Sequence, residues 1–245
     1  AIYLPHTGTT TINGGTIYGV AGGICLNRGE LIVNDGMITS KGQGSTGVWG
    51  DGTGNLKNAA IIVNAKYGDS TATIKGGTII AEGDALMLDA NAANKAAIAV
   101  SGGKFSHEVK AEYCAVGYEP SEKDASGMYT VQKVSGNAYY VDNNGNPVYG
   151  DFAALVASTN TATKGKTITL LKDVKIEDNL VLFGNRTVDL NGNVLEITEI
   201  FIGLYGKVSD SSDGNGLLKI AADNVKLQPD NGLLPIYDSA KGGYR

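Results

Sequence analysis

Apolar and polar residues alternate in short runs along the first half of the chain. Each run breaks at a glycine-containing pair and restarts on a large apolar residue. Four stretches share this form: Thr9–Ile17 (TTTINGGTI), Glu30–Ile38 (ELIVNDGMI), Thr71–Ile79 (TATIKGGTI) and Ala97–Phe105 (AIAVSGGKF). Aligned, they give two apolar columns, Ile12/Val33/Ile74/Val100 and Ile17/Ile38/Ile79/Phe105. The period within a run is two. Leu31 and Val33 share one face, while Glu30, Ile32 and Asn34 share the other, as in a β-strand with one buried side. The breaks are Gly14-Gly15, Asp35-Gly36, Gly76-Gly77 and Gly102-Gly103, where glycine allows the positive φ of a sharp corner at little cost. A repeat this small cannot bury its own apolar face and must stack on copies of itself.

A third short run precedes each copy: Ile2-Tyr3-Leu4, Ile24-Cys25-Leu26, Ile61-Ile62-Val63 and Leu86-Met87-Leu88. Three short strands per turn, joined by corners, predict an all-β fold, a right-handed parallel β-helix of triangular section. Ile12 to Val33 spans 21 residues, one coil, and Ile74 to Val100 spans 26, one coil with a longer loop. The 41 residues from Val33 to Ile74 read as two coils, the irregular one holding Ser40–Leu56 (SKGQGSTGVWGDGTGNL). An antiparallel sandwich has similar strand spacing, but the regular corners favour coils.

After Phe105 the pattern stops. Ser106–Tyr118 reads as a cap with one helical turn and Met128–Val131 as a closing strand, which predicts a first domain over residues 1–133. A second, over 134–245, opens with Asp142–Asn146 (DNNGN), a hairpin turn between Tyr139–Val141 and Pro147–Tyr149. Asp151 is a good N-cap for a short amphipathic helix, Phe152–Ala157, laid over the start of a second β-helix. Strands are predicted at Thr167–Leu171, Leu180–Leu182, Thr187–Leu190, Val194–Ile197, Phe201–Leu204, Leu217–Ile220 and Val225–Leu227.

Glycine is 35 of 245 residues, about twice the average share, whereas proline is only 5, so the excess reflects corners and not a disordered tract. A net charge of −5 with scattered lysines and arginines argues against a nucleic-acid partner. No apolar run approaches the ~18 residues of a membrane span. Cys25, in the outward slot of its strand, and Cys114 read as two small semi-buried thiols; a chain of this size needs no staple, though a bridge between them stays open. Ala1 leads straight into a strand with no leader pattern, so the sequence reads as a fragment of a longer chain.

Two further motifs carry a resemblance. SGGKFS at Ser101–Ser106, followed by EYCAVGY at Glu112–Tyr118, resembles a GGTFS…YxAxGY segment of large exported cell-surface proteins of anaerobic, gut-type bacteria. TITLLKDVKIEDNL at Thr167–Leu180 with TVDLNGN at Thr187–Asn193 resembles the opening of β-helix segments in the same proteins. The resemblance implies β-helix repeats and an extracellular, cell-surface location, with signal and anchor outside this chain. It implies no reaction.

Candidate chemistry is sparse. Glycoside hydrolysis needs two carboxylates ~5–10 Å apart, yet the corner column Gly14/Asp35/Gly76/Gly102 offers one. Asp84 and Asp89 stand at opposite ends of a strand. His6 and His107 have no Cys or second His nearby in sequence, so neither a metal site nor a nucleophile–base pair is expected. Asp142–Asn146 and Asp210–Gly214 (DSSDG) carry oxygen ligands but read as turns first. Tyr139 and Tyr140 read as cross-strand packing. Trp49, with Asp51 and Asn55 in a glycine-rich loop, combines an aromatic face with hydrogen-bonding groups, the pairing that holds sugars. The sequence therefore predicts a non-catalytic structural or adhesive module without cofactor or metal. The alternative is a carbohydrate-binding module using Trp49, Asp51 and Asn55, and the third reading is a polysaccharide lyase or hydrolase. The partner classes are a glycan or a host or bacterial surface protein.

Overall fold

The computed structural model describes residues 2–41, 59–89, 94–202, 205–220, 223–226, 237–238 and 243–244. Strand accounts for 48% of the described residues and helix for 6%, so helix caps the sheets and builds no layer of its own. The strands stack in parallel β-solenoid coils, about eight turns in all. The chain divides into two compact units, Ala1–Val134 and Ser135–Arg245, each with its own ladders.

In the first unit, each turn of the chain supplies a short strand and then a longer or paired one. The strands are β1 Ile2–Leu4, β2 Thr9–Gly19, β3 Ile24–Leu26, β4 Gly29–Ser40, β5 Ile61–Val63, β6 Ser70–Ile74, β7 Thr78–Ala81, β8 Leu86–Leu88, β9 Ala96–Val100 and β10 Lys104–Phe105. One face is the ladder β1-β3-β5-β8. The other two share β2 and β4, which run through the corner unbroken. The first half of β4 pairs with β6 and the second half with β7, which lead on to β9 and β10. All of these pairings are parallel, with strands ~4.8 Å apart.

The column register follows the sequence alignment residue by residue. Ile12 pairs Val33, Val33 pairs Ile74 and Ile74 pairs Val100; Ile17 pairs Ile38, Ile38 pairs Ile79 and Ile79 pairs Phe105. Val33, Ile74, Val100, Ile38, Ile79 and Phe105 are wholly buried, each contributing ~1.5–3 kcal/mol by leaving water. The direct pairing of Val33 with Ile74 corrects the two-coil reading of the 41-residue spacing. It is one coil with a long insertion, because β5 likewise stacks straight onto β3.

Corner glycines are required by close approach. A Cβ on Gly76 would overlap the carbonyl oxygen of Asn34 in the coil below, and one on Gly102 the carbonyl oxygen of Lys75. Beyond Phe105 the chain folds over the end of the stack. A 3-10 turn at Ala111–Tyr113 buries Tyr113, whose hydroxyl accepts a hydrogen bond from the N–H of Leu88. Cys114 bridges to Val100, and Tyr129 to Phe105. The strand expected at Met128–Val131 begins later, as β12 Val131–Lys133, antiparallel to β11 Tyr118–Pro120.

The second unit opens with a hairpin, β13 Ala138–Val141 and β14 Pro147–Gly150, antiparallel to each other. The helix α1, Phe152–Val156, follows; Asp151 caps it by accepting the N–H of Ala154, and Phe152, Leu155 and Val156 are buried in the unit's core. Coils then follow from β15 Thr167–Leu170, β16 Val174–Lys175 and β17 Leu180–Leu182 to β18 Thr187–Asp189, β19 Val194–Ile197 and β20 Ile200–Ile202, and on to β21 Lys207–Ser209 and β22 Leu217–Ile220. The parallel ladders are β15-β18-β21, β16-β19-β22 and β17-β20. The strand expected at Phe201–Leu204 is Ile200–Ile202. That expected at Val225–Leu227 is β23 Asp223–Lys226, which turns back antiparallel to β22.

Candidate functional site

Trp49, Asp51 and Asn55, the candidate sugar-binding residues, lie outside the described residues. The other chemistry-bearing side chains are described, and the fold disperses most of them. His6 is exposed; His107 is half-buried beside its neighbour Ser106, with Oγ and Nδ1 3.0 Å apart. Ser106 Oγ in turn joins the backbone of Ala81 in the next coil, so this pair bridges rungs. Asp84 and Asp89 flank β8 at its two ends. Asp35 accepts the N–H of Gly36 at 2.8 Å, within its own corner. Among the described residues, no three His, Cys, Asp or Glu side chains come together in a way that would hold a metal ion.

The two cysteines form no disulfide with each other, and Asn27 Nδ2 donates to the Cys25 sulfur at 3.4 Å. Cys25 does sit in the outward slot of β3, yet it is completely buried, because a second small cluster of Ala59, Ile62, Tyr3 and Met87 covers that face. An outward position is therefore not an exposed one here. Cys114 is half-buried; burial, helped by the nearby Glu119 carboxylate, pushes its thiol up to about 11.

In the second unit two carboxylates each reach the backbone of the other's coil, one of them in a turn that the sequence marks as ordinary. Asp189 ends β18, and Asp210 follows β21 in the coil above, 21 residues on. Both are buried. Asp210 accepts the N–H groups of Gly192, Ser212 and Gly216 and the hydroxyl of Ser212, at 2.8 to 3.2 Å. Asp189 accepts the N–H of Asn191 and, from the coil above, of Ser211. Each carboxylate thus ties the other coil's corner. Burial alone would raise the Asp210 carboxyl, but the Gly192, Gly216 and Ser212 donors outweigh it and hold it below its ordinary value. This pair is engaged by backbone, and its lone pairs are largely occupied. The signal that would have found it is an Asp just past a strand in consecutive coils.

A third buried charge lies in the same unit. Arg186, 3% exposed, donates from Nε to Thr163 Oγ1 at 2.9 Å, from Nη1 to the Phe183 carbonyl at 2.7 Å and from Nη2 to the Asn160 carbonyl. It pins the turn after α1 to the turn after β17. The Asp142 loop is likewise a closed turn: Oδ1 accepts the N–H groups of Asn144 and Asn146, and these donors hold the carboxyl below its usual range. Tyr139 packs across the hairpin on Tyr149, ring centres 5.7 Å apart.

Among the surface depressions of the described residues, one is apolar and one acidic. The apolar one, of about 500 Å³, lies between α1 and the β16–β17 turn, with Val156, Ile176, Val181 and Phe183 in its wall. The acidic one, of about 630 Å³ on the first unit's cap, is lined by Glu108, Glu119, Glu122 and Tyr129. No helix in the described residues is long and apolar enough to cross a membrane. No family model matches the chain, and no curated protein or solved structure is similar to it.

Proposed function

We propose that this chain is a non-catalytic structural and adhesive module of an exported bacterial cell-surface protein. The observation that carries the reading is what the polar side chains inside the stack do. Asp189, Asp210, Arg186 and Ser106 all join one coil, or one turn, to the next. Groups engaged in this way hold stacked coils together and have few lone pairs or donors left for a substrate. The outer face of β2, β4 and β7 supports the adhesive half of the proposal. Tyr18 and Ile80 lie in one outward column and Met37 in the column beside it, all exposed amid threonines. Such a flat, mixed face suits contact with a surface more than enclosure of a small molecule. The resemblance of the GGKFS and YCAVGY segments to exported bacterial proteins supports the location.

The test is to incubate the purified chain with a panel of plant, mucin and bacterial polysaccharides and to probe it on a glycan array beside Trp49→Ala. The proposal expects no release of reducing ends or unsaturated sugars. Turnover would overturn it in favour of an enzyme. Glycan binding lost in Trp49→Ala would replace it with a carbohydrate-recognition module sited at that loop.

A further inference from the structure

The chain carries five Asn-Gly pairs; Asn231-Gly232 lies outside the described residues, and the other four are Asn13-Gly14, Asn144-Gly145, Asn191-Gly192 and Asn215-Gly216. Glycine after asparagine leaves the main-chain nitrogen unshielded by a Cβ and free to approach the side-chain carboxamide. Sequence alone makes the four equivalent. The structure does not.

At Asn191 both partners are held. Its Nδ2 donates to the Leu170 carbonyl at 3.1 Å, and the nitrogen of Gly192 donates to Asp210 Oδ1 at 2.9 Å. At Asn215 the following nitrogen, of Gly216, is buried against Asp210 Oδ2 at 2.8 Å. At Asn13 the carboxamide oxygen accepts Asn34 Nδ2 at 2.7 Å, within a strand paired to its neighbour. Asn13 and Asn215 are exposed as well, but Asn144 combines what the other three do not: no carboxylate holds the nitrogen that follows it, and its carboxamide, at the tip of the hairpin loop, makes no hydrogen bond among the described residues. The nitrogen of Gly145 donates only a long bond, 3.3 Å, to the Asp142 carbonyl.

We propose that Asn144 is a site of spontaneous covalent modification: deamidation through a succinimide, selected from among the four by the fold. The Gly145 nitrogen, losing its proton to hydroxide or a buffer base, attacks Cγ of Asn144. The new C–N bond closes a five-membered ring, and the side-chain nitrogen takes up a proton and leaves as ammonia. Water then opens the ring at either carbonyl, giving aspartate or isoaspartate. One water enters and one ammonia leaves, with no change of oxidation state. Either product places a carboxylate beside Asp142, in the loop whose Asn143 Oδ1 accepts Lys166 Nζ at 2.7 Å. The isoaspartyl product also adds a carbon to the backbone that closes the Val141–Pro147 pair.

The test is to hold the full chain in a warm, mildly alkaline buffer and to follow these four Asn-Gly peptides by mass spectrometry, native and in denaturant. In the native chain, Asn144 should convert first of the four. Asn191 and Asn215 should be slower by about tenfold or more, since each must first break a charge-assisted bond to Asp210. In denaturant the four rates should converge. Asn144→Gln should abolish the isoaspartate that accumulates first. Conversion of Asn191, Asn215 or Asn13 ahead of Asn144, or an unchanged ranking in denaturant, would overturn the proposal.

Discussion

The two units solve the same problem, the corner of a β-solenoid, with different chemistry. The first lets backbones approach closely, with Gly76 and Gly102 seated where no side chain fits. The second keeps side chains at the corner and buries carboxylates there, with Asp189 and Asp210 reaching between coils to collect backbone N–H groups. A steric corner is indifferent to protons. A carboxylate corner is not, so similar ladders should respond differently to acid.

Substitutions can break this contrast from either side. The largest effect is expected inside the first unit's column. Ile74→Asn removes a fully buried side chain and leaves an amide with no partner, a cost of roughly 4 kcal/mol or more. Region-resolved hydrogen exchange should show protection lost across residues 2–134 and kept in residues 135–220; an unchanged melting temperature would sink the stacked-column account.

Asp210→Ala comes next. It orphans four donors at once, an expected loss of about 2–4 kcal/mol, read as faster exchange around residues 189–216 alone. Acid should do the same to a lesser degree. The folded-state pKa of Asp210 is depressed, so its contribution is present above the unfolded value of about 3.9 and disappears as pH falls through the lower, folded one. The coils around residues 189–216 should therefore lose exchange protection below about pH 4 before the Gly76 and Gly102 corners do, and Asp210→Asn should flatten that difference. Simultaneous acid loss at both sets of corners would erase the distinction.

Gly102→Ala should cost the first unit about 1–3 kcal/mol by forcing two backbones apart, with no dependence on pH; thermal melts at neutral and acidic pH compare directly. The smallest effect belongs to the exposed ladder Lys175–Glu196–Lys219, whose charges alternate across three coils. Lys219→Ala should leave the melting temperature unchanged in high salt and lower it only slightly in low salt.

How far the sequence carried can be judged from particular residues. The columns through Ile74 and Ile79 were legible because a glycine pair marks the same slot in every copy and the side-chain period of two does the rest. The count between Val33 and Ile74 misled, because an insertion adds residues without adding a rung. Strands β16 and β21 went unseen; Val174–Lys175 and Lys207–Ser209 are too short to show alternation. Burial of Cys25 was hidden because the outer cluster that covers it draws on residues from four separate strands and loops. The carboxylate pair was missed because Asp189 and Asp210 sit beside Asn191-Gly192 and a serine-rich turn, whose local signal is loud and whose coupling across coils is visible only once the coils are stacked.

The rung joining Val33 to Ile74 also bears on how such a chain can change over time. A coil is defined by what its strands pair with, and the ladder closes there regardless of how much chain lies between Lys41 and Ala59. Loop closure grows costlier only slowly with length. Length between those two rungs is therefore a tolerant variable: peptides exchanged there should leave the Val33–Ile74 and Ile24–Ile61 pairings in place, so recombination could vary the sequence between rungs without redesigning the ladders.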